Sequence, residues 1–289
     1  MAVIDAHQHF WNPSRVAYDW LGPELGPIHR AIEFPELEPL LAATGVERTV
    51  LVQSADNAAD TAYMFEVAAV HPEIAAVVGW VPLDQPAAVA ASLPGLCANP
   101  TFVGIRNLIH TKPDPDWLLR PDVDESLGIL AAHDVPFDVV SVLPRHLEHV
   151  PTLSQRHPQL RIVIDHLSKP PIKADSDEPW HSLITRAAEN PRVYAKVSGL
   201  YPAAGDITAW TSDDVRPYFE LALELFGPDR LMFGGDWPIS ILAGGYVRVW
   251  EELSKLFAEL SPDDRSAILG GTAAEFYGIP TTRLPGGGP

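Results

Sequence analysis

Short runs of apolar, often β-branched residues recur along the chain, and between them lie segments whose apolar residues return at helical spacing. The runs are AVID (2–5), RTVLVQ (48–53), AAVVGWV (75–81), FVGIR (102–106), PFDVVS (136–141), RIVID (161–165), VYAKVS (193–198) and RLMFGGD (230–236). Their interiors carry almost no charge, as expected of parallel strands covered on both faces. Helical spacing marks PELEPLLAATG (35–45), TAYMFEVAAVHP (61–72), DESLGILAAHD (124–134), SLITRAAENP (182–191) and DVRPYFELALELFGP (214–228), with Gly or Pro near the ends as helix stops. SPDDRSAILGG (261–271) opens with a Ser cap, a Pro and two Asp in the first turn, all favourable at a helix N-terminus. Eight strands alternating with helices within about 250 residues predict an α/β chain folded as a (β/α)8 TIM-type barrel rather than an open doubly wound sheet.

One segment fits neither pattern. Residues 11–34 are irregular and rich in Trp, Pro and Gly. A loop this long inside a compact domain is usually functional, and if the first strand ends near His7 it leaves the strand end where barrel active sites are built. It is expected to be a lid or substrate wall. Residues 1–280 are expected to form a single barrel domain and 281–289, ending in LPGGGP, a flexible tail.

Composition narrows the functional classes. With 46% hydrophobic and 20% charged residues the chain reads as a soluble globular protein. No window approaches the roughly 18 unbroken apolar residues of a membrane helix, and the N-terminus does not read as a secretory signal. A cytoplasmic location is expected. The formal charge of −18 argues against nucleic acid as a partner. The single cysteine, Cys97, permits no internal disulfide and is expected to be a small buried or loop residue. The 29 prolines are spread along the chain and are expected to stiffen many loops.

The polar residues at the strand ends carry the chemistry. His7 and His9, two apart in an extended strand, face the same side and suit a chelate or a paired polar wall. The alternative is that one histidine ends the strand and the other is solvated. Gln53 ends the second strand, Arg106 the fourth and Asp236 the eighth, while Asp138 lies in the fifth, His166 follows Asp165 in the sixth and Lys196 lies in the seventh. Polar residues there are wasteful in a core but useful around a barrel mouth. Asp165 is read as structural, orienting His166 or capping a turn. His71, His133 and His157 read as structural, His29 and His110 as undecided loop residues, and His146, His149 and His181 as exposed on helices.

The stretches IDAHQHFW, TVLVQS, VVGWVPL, GIRN, WLLRPDV, FDVV, VIDHLSKPPI, KVSGL and LMFGGDWPI, in this order from first strand to last, resemble the amidohydrolase superfamily. Within it they are most similar to the amidohydrolase-2 group that contains sugar-acid lactonases. The resemblance implies a distorted (β/α)8 barrel and a hydrolase of carbohydrate metabolism that opens a cyclic ester. The chain has Ser168 and Gly235 where the family more often has Gly and Ser, and Asn107 where it more often has His. Metallated members also bridge two metals from the fourth strand with Lys or Glu. Arg106 stands there, and a cation cannot bridge two metals, so no metal or one is implied.

Opening a lactone needs a base for water and positive charge where the carbonyl oxygen becomes negative. Asp236 is the expected general base, with Arg106, Lys196 and His166 polarising the carbonyl or holding hydroxyls and helping to keep Asp236 ionised. His7, His9, Trp11, Gln53, Asn107 and Trp237 are expected to bind substrate. Trp11, Tyr18, Trp20, Trp80 and Trp237 suit stacking on a sugar ring and equally suit packing a lid. No GxSxG elbow is present. Either no cofactor is required, or one divalent metal, with zinc favoured, is held by His7, His9, His166 and Asp236. The expected small-molecule partner is a sugar-acid lactone. A metal-dependent decarboxylase or another C–O or C–N hydrolase of the same group is the alternative enzyme, and a binding protein on a retired barrel the non-enzymatic one.

Overall fold

The alternation of apolar runs and amphipathic segments becomes an eight-stranded parallel sheet in sequential order, β1 through β8, in a computed structural model that describes residues 2–202 and 206–280. The strands are β1 (Ile4–Gln8), β2 (Arg48–Val52), β3 (Ile74–Gly79), β4 (Phe102–Asn107), β5 (Phe137–Val139), β6 (Ile162–Ile164), β7 (Val193–Val197) and β8 (Leu231–Phe233). The first and last strands meet through a parallel bridge between Gln8 and Trp237. Asp236 N–H donates to His7 O at 2.9 Å and His9 N–H to Trp237 O at 2.7 Å. This seam brings the histidine pair beside Asp236. The barrel is distorted, with register shifts in the first three strand pairs.

The helices are α1 (Phe34–Thr44), α2 (Ala58–Val70), α3 (Pro86–Cys97), α4 (Pro121–Ala132), α5 (Pro144–Arg156), α6 (Trp180–Ala188), α7 (Ser212–Phe226), α8 (Tyr246–Phe257), α9 (Pro262–Ser266) and α10 (Thr272–Tyr277). Several prolines do more than stiffen loops: α1, α3, α4, α5 and α9 each have Pro in the first turn, where a missing N–H costs nothing. Ser261 caps α9 by accepting from Asp264 N–H, as its sequence predicts. Four helices, α3, α5, α8 and α10, fall outside the segments marked by the pattern. α3 is apolar nearly all round and carries Pro94 inside, so it has little amphipathic signal. No described helix is long and apolar enough to cross a membrane.

Alternation along the strands divides the core. Val50, Val52, Ala76 and Val78 point into the barrel, where they pack with Ile4, Ala6, Val163 and Met232 against Phe276 and Tyr277 of α10. Leu51, Val77, Ile162, Ile164, Leu231 and Phe233 join the larger cluster between sheet and helices. The inward residues of β7 and its continuation climb in layers: Tyr194 packs on the apolar floor, Lys196 lies in a buried ionic layer, and Ser198 bonds His166.

The structure corrects the expectations for Cys97, His146 and His149 and agrees with those for His71 and His157. Cys97 is exposed, at the last position of α3. His146 and His149 are buried, because the inner face of α5 carries them, and His149 Nε2 donates to Pro115 O at 3.0 Å. His71 stacks on Phe34, and His157 faces Asp124 at 3.0 Å, both structural contacts. The tail expected to be flexible, 281–289, lies outside the described residues.

Candidate active site

Residues at the C-terminal ends of the strands surround a cavity of about 180 Å³, open to solvent. His9, Arg106, His166 and Asp236 line its polar side, as the strand-end pattern predicts, and Trp11 and Trp20 of the 11–34 loop wall it. The loop is pinned over the mouth by an antiparallel bridge between Trp11 and Ile32 and by Trp20 Nε1–H donating to Ser54 O at 2.6 Å. Leu108, Val140, Val142 and Ile239 supply an apolar side, and His110 also reaches the cavity.

Asp236 stands at the centre. Its backbone is left-handed, with φ 51°, which turns the side chain inward just past β8. Oδ2 accepts from the Tyr201 hydroxyl at 2.7 Å. Oδ1 faces three imidazole nitrogens without touching them: His9 Nε2 at 3.7 Å, His7 Nε2 at 3.9 Å and His166 Nε2 at 4.0 Å. Burial raises the Asp236 carboxyl above its ordinary value, opposed by Lys169, the Tyr201 hydroxyl and Arg106. Gly199 is the residue that permits this approach. Its φ is +57°, and a Cβ there would meet His166 Nδ1 at 2.7 Å and Asp236 Oδ2 at 2.9 Å.

Burial favours the neutral form of His7, His9 and His166. Burial pushes His7 down to about 3 and holds His9 and His166 well below the ordinary imidazole range. His166 was expected to contribute positive charge to Asp236, and its desolvation removes that contribution. His9 Nδ1 lies 2.8 Å from Val52 O, and a carbonyl only accepts, so the proton sits on Nδ1 and Nε2 presents a lone pair. His7 Nε2 lies 3.1 Å from that lone pair.

Beneath the cavity lies the ionic layer. Lys196 is fully buried, with Nζ at 2.6 Å from Asp138 Oδ2, 3.1 Å from Asp165 Oδ1 and 3.1 Å from His7 Nδ1. Tyr277 of α10 donates to the same Asp138 oxygen at 2.8 Å. Arg106 Nη1 donates to Asp165 Oδ2 at 3.0 Å, and Nη2 donates to Gln53 O. Asp165 therefore joins Arg106, Lys196 and His7 rather than His166, contrary to its sequence reading.

Several residues expected to meet substrate do not line the cavity. Lys196 is enclosed one layer below it. Gln53 is fully buried and donates to Arg106 O at 3.1 Å and Asp56 Oδ1 at 3.0 Å. Asn107 donates to Val81 O at 3.1 Å, and Trp237 packs edge-on against Phe10. The inward-facing period of a strand gives the side but not the depth of a residue, and depth separates this supporting layer from the cavity wall. Two residues at the site were missed, Lys169 and Tyr201. Lys169 lies in DHLSKP and Tyr201 directly after KVSGL, beside motifs already singled out, but neither is within a strand run.

The donors fit one divalent ion. With the His7 proton on Nδ1, toward Asp165 Oδ1 at 3.3 Å, its Nε2 lone pair joins those of His9 and Asp236 Oδ1. Bonds of about 2.0–2.1 Å in a tetrahedron put ligand atoms about 3.3–3.4 Å apart, close to the separations around Oδ1. With the proton on Nε2, the same two histidines form a hydrogen bond and the set closes without an ion. His7, His166 and Asp236 likewise offer ligand atoms that all lie within 4.8 Å of one another.

A model of the family described as amidohydrolase matches residues 4–279. The chain is 42% identical over 286 residues to an L-fucono-1,5-lactonase of Burkholderia ambifaria, covering 96% of this chain and 95% of that protein. It is 34% identical over 289 residues to an L-fucono-1,5-lactonase of Burkholderia multivorans, covering 96% of each. The crystal structure of an amidohydrolase from Burkholderia multivorans with bound zinc superposes with a TM-score of 0.86 at 32% identity, over 97% of this chain and all of that one.

Proposed function

The chain belongs to the amidohydrolase family, and on that premise we propose that it is a hydrolase of sugar-acid lactones, opening an aldonolactone of the kind for which its Burkholderia relatives are named. The observation that carries the reading is the Asp236 carboxylate, with one oxygen held by Tyr201 and the other facing the cavity beside neutral imidazoles.

In this reading Asp236 Oδ1 takes a proton from water as the water oxygen bonds to the lactone carbonyl carbon. The ring C–O bond then breaks and the proton passes from Asp236 to the departing ring oxygen, leaving a hydroxy acid. Tyr201 holds the carboxylate so that one lone pair is committed and the other is free. His9, fixed by Val52 O, presents a nitrogen acceptor to the water or to a substrate hydroxyl. Trp11 and Trp20 offer flat apolar faces to the sugar ring and narrow the water's approach. His7, His9, His166 and Asp236 would hold one divalent ion, and such an ion, when bound, would acidify the water and polarise the carbonyl.

The test is a panel of aldonolactones and dicarboxylate lactones read by a pH indicator, since every opening releases a proton. L-Fucono-1,5-lactone or a close aldonolactone should be opened well above its spontaneous rate. A panel in which no aldonolactone is opened faster than in buffer would end this reading.

A further inference from the structure

A lactonase site takes up a neutral ester, builds an oxyanion and releases a carboxylate. Its charges should therefore leave a cation able to meet that oxygen. Asp138, Lys196, Asp165 and Arg106 form an alternating chain of two acids and two bases, linked at 2.6, 3.1 and 3.0 Å, which is neutral as a unit. Asp236 and Lys169 remain.

Lys169 differs from Lys196, which lies below the cavity, and from Arg106, which also lines it but is paired with Asp165. Lys169 lines the cavity. Among the described residues no carboxylate oxygen lies within the 4.0 Å of an ion pair from its Nζ. The ammonium lies only 3.4 Å from Gly199 O and 5.1 Å from the centre of the Tyr201 ring, which leaves donors uncommitted.

The backbone is shaped to put it there. His166, Leu167, Ser168 and Lys169 have φ of 57°, 47°, 59° and 53°, a left-handed turn made without a single glycine. Such residues each cost about 1–2 kcal/mol. In a tight turn with i to i+3 bonding, residues three apart lie on one side, and Lys169 N–H donates to His166 O at 2.8 Å. His166 and Lys169 thus reach the same cavity. Trp180 Nε1–H, donating to Leu167 O at 2.7 Å, and the bond between the Ser141 and Ser168 hydroxyls at 2.7 Å hold the turn. Strain retained by surrounding structure is characteristic of functional positions.

We propose that Lys169, not Lys196, is the cation that meets the substrate, donating to the lactone carbonyl oxygen as negative charge builds there and then holding the carboxylate of the opened acid. The step balances without an added reagent. The water oxygen bonds to the carbonyl carbon while its proton goes to Asp236, and the π electron pair moves onto the oxygen faced by Nζ. That pair returns as the ring C–O bond breaks, the proton passes to the ring oxygen, and Lys169 keeps its three protons throughout. This inference rests on the lactonase reading.

The test compares Lys169→Met and Lys169→Arg with wild type for kcat and KM on L-fucono-1,5-lactone, for binding of L-fuconate by calorimetry, and for melting temperature. Lys169→Met should lower kcat by about 10²–10³-fold, as loss of one oxyanion donor does. KM for the neutral lactone should change little while L-fuconate binding weakens at least about tenfold, and Lys169→Arg should recover part of both losses. A folded Lys169→Met protein with wild-type kcat and wild-type L-fuconate binding overturns the proposal. So does one whose pH–rate profile shifts while acid binding stays intact, which would assign Lys169 to Asp236 alone. A wild-type protein that opens no aldonolactone overturns the lactonase reading and the carbonyl contact with it, whereas wild-type turnover with an unimpaired Lys169→Met overturns this proposal only.

Discussion

Lys196→Met isolates the buried ionic layer under the cavity. The ammonium touches Asp138 at 2.6 Å and Asp165 at 3.1 Å, and all three side chains are fully enclosed. Removing one partner of such a network leaves uncompensated buried charge, at a cost of about 3–5 kcal/mol. With an unfolding entropy of about 2.1 cal/mol/K per residue, a chain of 289 residues loses roughly 0.6 kcal/mol per degree, so the melting temperature should drop by about 5–8 °C at pH 8. The pH dependence follows from Asp138, whose carboxyl is pushed up to about 6 by burial against the opposing pull of Lys196. A carboxyl raised in the folded chain binds its proton more tightly there than in the unfolded chain. Its contribution therefore worsens as pH rises through the folded value and recovers as pH falls toward 4. Loss of Lys196 moves that window above 6, so the deficit of the variant should shrink between pH 8 and pH 5.5. Asp138→Asn added to Lys196→Met should restore part of the loss, because Asn still accepts from Tyr277 and needs no counter-charge. Circular-dichroism melts at the two pH values decide the matter. A variant as stable as wild type at pH 8, or a deficit that does not diminish at pH 5.5, would refute the reasoning.

Asp236→Asn should lower kcat by at least about 10³-fold and leave the melting temperature close to wild type, and near-normal turnover would remove Asp236 as the base. Tyr201→Phe deletes a hydrogen bond to a charged group worth about 1.5–3 kcal/mol, so steady-state kinetics should show kcat falling about 10–100-fold with KM little changed. Gly199→Ala puts a Cβ against His166 and Asp236 in a left-handed backbone, and should yield a folded protein by circular dichroism with turnover nearly lost. Dialysis against zinc followed by elemental analysis should find at most one ion per chain, and two would contradict the single donor cluster found among the described residues.

The strand pattern located all eight strands of the barrel, and the polar ends pointed to His9, Arg106, His166 and Asp236 on the cavity wall with His7 just beneath. The same pattern placed Lys196, Gln53, Asn107 and Trp237 at the cavity, where they do not reach. Alternation distinguishes the inward face from the outward one, but Tyr194, Lys196 and Ser198 share that face at three depths. Only the last touches a residue that lines the cavity. Lys169 and Tyr201 escaped for a different reason. They stand in loops, where no period applies.

What the chain determines by itself is the alternation of buried strands with helices, and with it a barrel whose polar residues gather at one end. Those follow from side-chain periods of two and about 3.6 residues, which are local. Which cation faces the cavity without a carboxylate partner is not local. It depends on a left-handed turn of four non-glycine residues after β6 and on the pairing of Lys196 and Arg106 with Asp138 and Asp165 from other strands. The turn survives because Trp180 and Ser141, distant in sequence, hold it. Charge balance is a sum over space, so only the tertiary structure leaves Lys169 beside Asp236.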